Sequence, residues 1–360
     1  MVFFSSIIQE TEFLKYAVRM DDPRKTPFFE LPQEMIWKML YYLPPKDTVH
    51  FCETYSGAAI ICQDNYFWLQ KIRRDFGVVF EKELAEKGIP AENRVETYKQ
   101  YWKDAHTKFI WCAIRGKVEC VRLLLQIGVN PDVQGDYMGQ TALIQASWRR
   151  HTNVVQLLLD HNADPNFQDD DGKTALIVAS LSGQKDIVRL LLDHDADPNI
   201  ETNHGNTALM DASRRGNADV VLLLLEHGAD PNFQDDDGKT ALIVASPAYT
   251  DIIPLLLEHD ADPNIQNADG RTALMMTSEN GHMDVSLLLL EHDADPNMQA
   301  NYGHTALMDA SKMGHAGIVR LLLDHGADPD IETGDGYTAL MEASRLRHED
   351  IVRLLSFGEI

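Results

Sequence analysis

From residue 141 onward, small and apolar positions return in a fixed order. The tripeptide Thr-Ala-Leu begins at Thr141, Thr174, Thr207, Thr240, Thr272, Thr305 and Thr338, a spacing of 33 residues broken once by 32. In Thr174-Ala-Leu-Ile-Val-Ala-Ser180, the Thr hydroxyl caps a first helix, and small Ala175 and Ala179 allow close packing. Gly183 falls where the chain must turn. Asp186 is placed to cap a second helix, whose Ile187, Val188, Leu190, Leu191 and Leu192 form a broad apolar face. Asp195-Ala-Asp-Pro-Asn199 ends that helix, because Pro198 cannot continue it and Asn and Asp favour turns. Ile200 to Asn206 then makes an extended excursion before the next Thr. The period predicts helix, turn, helix, hairpin, in units that bury their apolar faces only against their neighbours.

A leading eighth copy aligns from Thr107, where Leu123-Leu124-Leu125 matches Leu190-Leu191-Leu192. Ala163–Ser180 and Ala229–Ser246 are identical and lie 66 residues apart, which points to duplication of a two-repeat block. The copy that begins at Thr240 is one residue short and carries Pro247 and Pro254. Pro254 falls in the first turn of the second helix, where proline is tolerated, so a shifted helix start and a changed stacking angle are expected there. The inter-helix glycine is replaced by Arg150 in the second copy and by Arg347 in the eighth.

The residues Thr-Ala-Leu-(Ile/Met)-x-Ala-Ser and Gly228-Ala-Asp-Pro-Asn232 make this region resemble an ankyrin-repeat array over about 250 residues. The resemblance implies a stack of helix pairs that binds proteins through the hairpin tips and the face formed by the first helices.

The first 107 residues differ in character and hold 3 of the 5 tryptophans. Phe29 to Pro44 reads as a short amphipathic helix with Pro32 at its first turn and Ile36, Leu40 and Leu43 at helical spacing. Pro44-Pro45 stops it. Leu31-Pro32-x-Glu34, Ile36, Leu40, Leu43-Pro44, Asp47 and Asp64-x-x-x-Trp68 resemble an F-box. The stretch Asp64 to Gly77 resembles F-box-like proteins of giant DNA viruses, which also carry ankyrin arrays rich in Thr-Ala-Leu-Met. That resemblance implies docking onto the small cullin adaptor of a ubiquitin ligase through Leu31, Pro32, Glu34, Ile36, Leu40, Leu43 and Trp68. Where the common pattern has Val-Cys-x-x-Trp, this chain has Phe51-Cys52-Glu53-Thr54-Tyr55. Residues 78–106 read as a charged helical connector, with Tyr98, Tyr101 and Trp102 on one face that covers the open side of the first repeat. The expected organisation is an N-terminal segment (1–27), an F-box-like module (28–77), a connector (78–106) and an array of about eight units (107–360), all-α throughout.

Charge refines the picture. The 360 residues carry 32 Lys and Arg against 56 Asp and Glu, a formal net charge of −24. Residues 1–107 account for −2 of this and residues 108–360 for −22. So acidic an array runs against nucleic acid, where affinity depends on neutralising phosphates, and against anionic membranes. It predicts a basic or neutral protein target. No apolar run approaches the roughly 18 residues of a membrane span, and no basic stretch precedes the apolar Met1 to Ile8 as in a signal peptide. Four cysteines without a C-x-x-C pair make neither a disulfide framework nor a zinc site and point to a reducing compartment, cytoplasm or nucleus, here of an infected host cell.

Candidate chemistry is thin. Gly172-Lys-Thr174 and Gly238-Lys-Thr240 imitate the end of a phosphate loop, but Phe167 and Phe233 stand where its earlier Gly is needed, and three Asp precede each Gly. His161, His194, His227, His259, His292 and His325 recur at the ends of the second helices. Neighbouring repeats set such rings about 10 Å apart, and zinc ligands must lie about 2 Å from the ion, so a role at the helix C-terminus is expected instead. No metal, cofactor or catalytic set is expected.

Positions that vary within the constant frame are the binding candidates: Gln145, Trp148, Arg149, Asp211, Arg214, Arg215, Met276, Asp309, Lys312, Met313 and Arg345 on first helices, with Tyr137 and Tyr302 at hairpin tips. Exposed aromatic, Met and Arg side chains are enriched at protein interfaces. The expected function is a non-catalytic substrate receptor of a cullin-based ubiquitin ligase, a monomer outside its complex. The alternative is a binding scaffold or decoy whose F-box-like part serves as a cap.

Overall fold

In a computed structural model, residues 40–41, 65–76, 94–135, 138–245 and 251–357 are described. They contain α-helices and one 3-10 turn and no strand. They fall into two compact bodies, residues 1–133 and 134–360. No described helix is long and apolar enough to cross a membrane.

The first body holds α1 (Asn65–Phe76), α2 (Arg94–Ile114) and α3 (Val118–Gln126). Phe76, at the end of α1, is fully buried and gathers the rings of Tyr98, Tyr101 and Trp102 on α2 at centroid distances of 5.3, 5.7 and 6.3 Å. The aromatic face of the connector therefore packs on α1, not on the first repeat as its spacing suggested. The connector and the first repeat are one helix. Thr107 lies in the middle of α2, its hydroxyl turned back to the Lys103 carbonyl, so it caps nothing. The helix runs unbroken from Arg94 to Ile114, so no helix end falls at 106/107.

Lys71 lies in the interior beside Asp75 (3.2 Å) and donates to the Tyr41 carbonyl (2.8 Å), while the Tyr98 hydroxyl donates to Asp75 (2.7 Å). Burial is the main reason that Lys71 gives up its proton near pH 8, below its ordinary 10.5, although Asp75 opposes the shift. Burial also pushes the Tyr98 phenol far above its ordinary range, with the Asp75 charge adding to it. From about pH 8 to 10 the unfolded chain holds the Lys71 proton and the folded one does not, so stability rises with pH. Above 10 the unfolded Tyr98 ionises while the folded one stays neutral, so stability falls. Urea titrations across this range should show the alkaline rise in the intact chain and lose it in Lys71→Met.

Cys112 on α2 and Cys120 on α3 are joined in a disulfide, with their Cα atoms 6.0 Å apart. The expectation that the cysteines form no disulfide framework overlooked this pair. The turn at Gly116 folds α3 back along α2 and brings residues eight apart in sequence face to face.

The second body is seven helix pairs: α4 (Ala142–Trp148) with α5 (Thr152–Leu159), α6 (Ala175–Leu181) with α7 (Lys185–Leu192), α8 (Ala208–Arg214) with α9 (Ala218–Glu226), α10 (Ala241–Ala245) with α11 (Ile252–Glu258), α12 (Ala273–Asn280) with α13 (Met283–Glu291), α14 (Ala306–Met313) with α15 (Ala316–Asp324) and α16 (Ala339–Leu346) with α17 (Glu349–Phe357). First helices pack on first helices and second on second, in two layers. The buried set is mainly the Ala-Leu-(Ile/Met) and second Ala of the first helices and the Ile/Val and Leu positions of the second; in the last first helix Met341 is exposed.

Every repeat Thr accepts from the backbone N–H three residues on, as at Thr174 with Ile177 and Thr207 with Met210 (3.3 Å each). Asp186 is not a cap: α7 starts at Lys185 with Gln184 before it, which leaves Asp186 inside the first turn, where its charge meets the helix dipole. The histidines at second-helix ends donate from Nδ1 to the carbonyl four residues back, as His227 does to Leu223 (2.8 Å). In the shortened fifth repeat α11 starts at Ile252, two residues later in register than α7, with Pro254 in its first turn.

Two side-chain ladders tie the repeats together. Asn232 donates to the Asp260 carbonyl (2.9 Å) and accepts from the Asp262 amide (2.8 Å) of the next repeat, and Asn166, Asn199, Asn264 and Asn297 repeat the arrangement. Gln234 likewise bridges the carbonyls of Gly238 and Gln266. Asp330, in the same column, has a carboxylate and no side-chain amide to donate.

Between paired helices the backbone turns through the left-handed region. Gly281 (φ 81°) does so with the His315 ring of the next repeat against its Cα, 2.7 Å from where a Cβ would stand. Arg150 (φ 64°) and Arg347 (φ 63°) adopt the same conformation with a full side chain. Arg150 gains a bond to the Ser182 carbonyl (2.8 Å). Arg347→Gly should raise stability by about 1 kcal/mol in thermal melts, because a left-handed L-residue costs about that much.

Candidate protein-binding face

The face that varies is built from the residue before each Thr and the fourth, seventh and eighth residues after it. Thr caps and buried Ala-Leu positions hold each first helix so that these side chains share one surface. In the fourth repeat, Arg214 bonds Asp211 (2.8 Å) and Asn206 (2.7 Å), which joins helix to hairpin base. In the sixth and seventh, Arg271 reaches Glu279 (2.6 Å) of its own repeat and Asp309 (2.9 Å) of the next. His304 lies 4.0 Å from Asp309, and Arg345 bonds Glu342 (2.7 Å).

Burial pushes the Asp211 carboxyl above its ordinary value of 3.8, against the pull of Arg214, Lys173 and Arg215. Burial does the same at Asp309, opposed by Arg271. Burial works against the Arg271 charge too, but the Glu279 bond and the Asp309 charge outweigh it and hold that proton more tightly than usual. Asp211, Asp309 and Glu342 are thus fixed parts of the surface and not free contact residues.

The other candidates divide clearly. Trp148 (48% exposed) and Met313 (49%) are open apolar side chains on this face, as is Leu346, which the sequence reading passed over. Arg149, Arg214, Arg215, Lys312 and Arg345 are exposed, while Gln145 and Met276 are half-buried. Gln145 donates to Gln140. Tyr302 stands at a hairpin tip, 88% exposed, within the 3-10 turn Asn301–Gly303 and left-handed (φ 67°). Tyr137 lies outside the described residues. The sequence reading also missed the column before the Thr, where Lys173, Lys239, Arg271 and His304 recur as basic types.

Of the residues expected to dock an adaptor, Leu31, Pro32, Glu34, Ile36 and Leu43 lie outside the described residues, as does the side chain of Trp68 in α1. Leu40 is 1% exposed, and next to it Arg74 stacks over the Tyr41 ring at 5.0 Å and bonds the Tyr41 carbonyl. Leu40 is therefore an interior residue and offers no free surface. Among the described residues no group of His, Cys, Asp and Glu is placed to hold a metal.

Comparison with known proteins bears on this geometry. The family described as Ankyrin repeats (3 copies) matches residues 82–169, 161–235, 201–267, 227–300, 242–333 and 294–359. An ankyrin repeat-containing protein of Treponema pallidum (strain Nichols) is 38% identical over 65 residues, 18% of this chain and 22% of that protein. The chain thus spans about a fifth of the length of the curated relative it matches. The crystal structure of the ankyrin repeat domain of Bcl-3, described as a unique member of the IkappaB protein family, superposes with a TM-score of 0.55 at 31% identity, over 60% of this chain and 99% of that one. With matches that run from residue 82 to 359 and a repeat frame capped and laddered in register, this chain belongs to the ankyrin-repeat family.

Proposed function

We propose that the chain is a non-catalytic receptor: the array captures a target protein on its first-helix face, and residues 28–77 dock the adaptor of a cullin-based ubiquitin ligase, in the cytoplasm or nucleus of an infected cell. The observation that carries the capture role is the row of open Trp148, Met313 and Leu346 among exposed arginines on a rigid, capped layer. The adaptor role rests on the F-box resemblance from Leu31 to Trp68. In this reading the protein contributes proximity between target and conjugating enzyme.

Burial of Leu40 favours a second reading, in which the module packs within the N-terminal body and the protein is a scaffold or decoy. Pull-down of the adaptor with the intact chain and with Leu31→Ala/Pro32→Ala separates the two. A ligase receptor binds the adaptor and loses it in the double variant; a decoy never binds it. Target capture should fail in Trp148→Ala/Met313→Ala under either reading, and capture that survives would contradict both.

A further inference from the structure

The four columns that make up the first-helix face carry eight Lys and Arg and four Asp and Glu, in an array whose overall balance is strongly negative. All four acids are paired within the face: Asp211 with Arg214 (2.8 Å), Glu279 and Asp309 with a shared Arg271 (2.6 and 2.9 Å), and Glu342 with Arg345 (2.7 Å). Arg149, Arg215 and Lys312 are exposed, and their charged ends make no hydrogen bond or ion pair among the described residues, although Arg215 acts at longer range on Asp211. Trp148 stands next to Arg149 in sequence, and Met313 next to Lys312, both open.

The acidity lies elsewhere and has a local task. Asp164, Asp197, Asp230, Asp262 and Asp295 each accept from the backbone amide two residues on, at 2.8 to 2.9 Å, and so shape the turn after every second helix. Asp169 and Asp235 do the same within hairpins. These carboxylates are copied with each repeat because the turns need them. Screening at physiological salt limits their reach to about 8 Å. A segment lying on the first helices meets the unpaired cations there, whatever the total charge.

We propose that this face takes an acidic protein segment, in which Asp or Glu alternate with apolar side chains, reversing the basic or neutral target that the net charge predicts; the proposal rests on this face being the capture surface. The carboxylates would meet Arg149, Arg215 and Lys312, and the apolar side chains would meet Trp148, Met313 and Leu346. A continuous polyphosphate fits less well, since the cations are spread over several repeats of about 10 Å each and the hairpins alongside carry Asp170, Asp236 and Asp269.

The test is fluorescence anisotropy on the full chain with three labelled probes. One is a synthetic peptide alternating Glu or Asp with Leu and Phe, long enough at about 3.3 Å per residue to cross the repeats from Trp148 to Leu346. The second has Lys and Arg in place of the acids, and the third is a thymidine oligonucleotide of the same charge as the first. The acidic peptide should bind at least roughly tenfold tighter than the basic one, and reversal of Arg149, Arg215 and Lys312 to Glu should weaken it by a similar factor. Reversal of Lys185, Arg189 and Arg320 on second helices changes the total charge equally and should leave binding nearly unaltered. The proposal is overturned if the basic peptide binds as well, if both triple variants act alike, if the oligonucleotide matches the acidic peptide, or if no probe binds. A basic preference that still requires Trp148 and Met313 would leave the capture face standing and remove only its charge assignment.

Discussion

Leu224→Ala should destabilise the array by about 2 to 5 kcal/mol and divide its unfolding into two steps. Leu224 is fully buried on α9, in the middle of the second-helix layer. Its truncation removes transfer energy and leaves a cavity that stacked helices on both sides cannot easily fill. The next repeat is already the weakest by construction. It is one residue short, and α11 starts two residues late with Pro254 in its first turn. In a solenoid, stability is close to a sum of repeat and nearest-neighbour terms. Two adjacent weak repeats therefore uncouple the halves. Urea melts followed by circular dichroism should show a second transition in the variant, and hydrogen exchange should place early opening in α9 to α11. A single transition with unaltered slope would show that coupling runs past these repeats.

Arg271→Met should cost about 3 kcal/mol, the usual penalty for leaving a largely buried charge without its partner. Arg271 bonds acids on two successive first helices, Glu279 on α12 and Asp309 on α14. Without it the buried Asp309 keeps His304 as an opposing charge, and burial together with the Glu279 charge should hold its carboxyl further above 3.8. The folded variant then binds a proton at a pH where the unfolded chain does not. Its deficit should narrow as pH falls from neutral toward that raised value. In a double-mutant cycle Asp309→Asn should recover much of the loss. A deficit independent of pH and of residue 309 would mean that Arg271 acts through packing alone.

The repeat frame was legible because its signals are local. A Thr before a small-apolar run is a helix cap, Pro198 stops a helix wherever it stands, and a 33-residue period leaves no other register. Features that depend on the neighbouring repeat were hidden. The asparagine and glutamine ladders join residues about 30 apart, and nothing within one repeat shows that Asn232 serves the carbonyl of Asp260. Gly281 reads as a turn residue, whereas the His315 ring against it comes from the following repeat. Thr107 misled for the opposite reason: its residue type matches the cap, but α2 runs straight through it from Arg94 to Ile114.

The candidate face was half legible. Variation within a constant frame marks Trp148, Arg149, Arg215, Lys312 and Met313, and all five stand open. The same criterion marked Asp211 and Asp309, which the fold has already committed to Arg214 and Arg271. Net charge says least about this face, because it counts turn-forming and surface carboxylates alike.

Site-specific photocrosslinking tests the central claim most directly, with a photoreactive side chain placed at Trp148, at Met313 or at Leu287, an exposed apolar residue on the second helix α13. If the first-helix face captures the target, the probes at Trp148 and Met313 crosslink the same protein and the probe at Leu287 does not. Crosslinks from Leu287 alone, or equally from all three, would contradict the account.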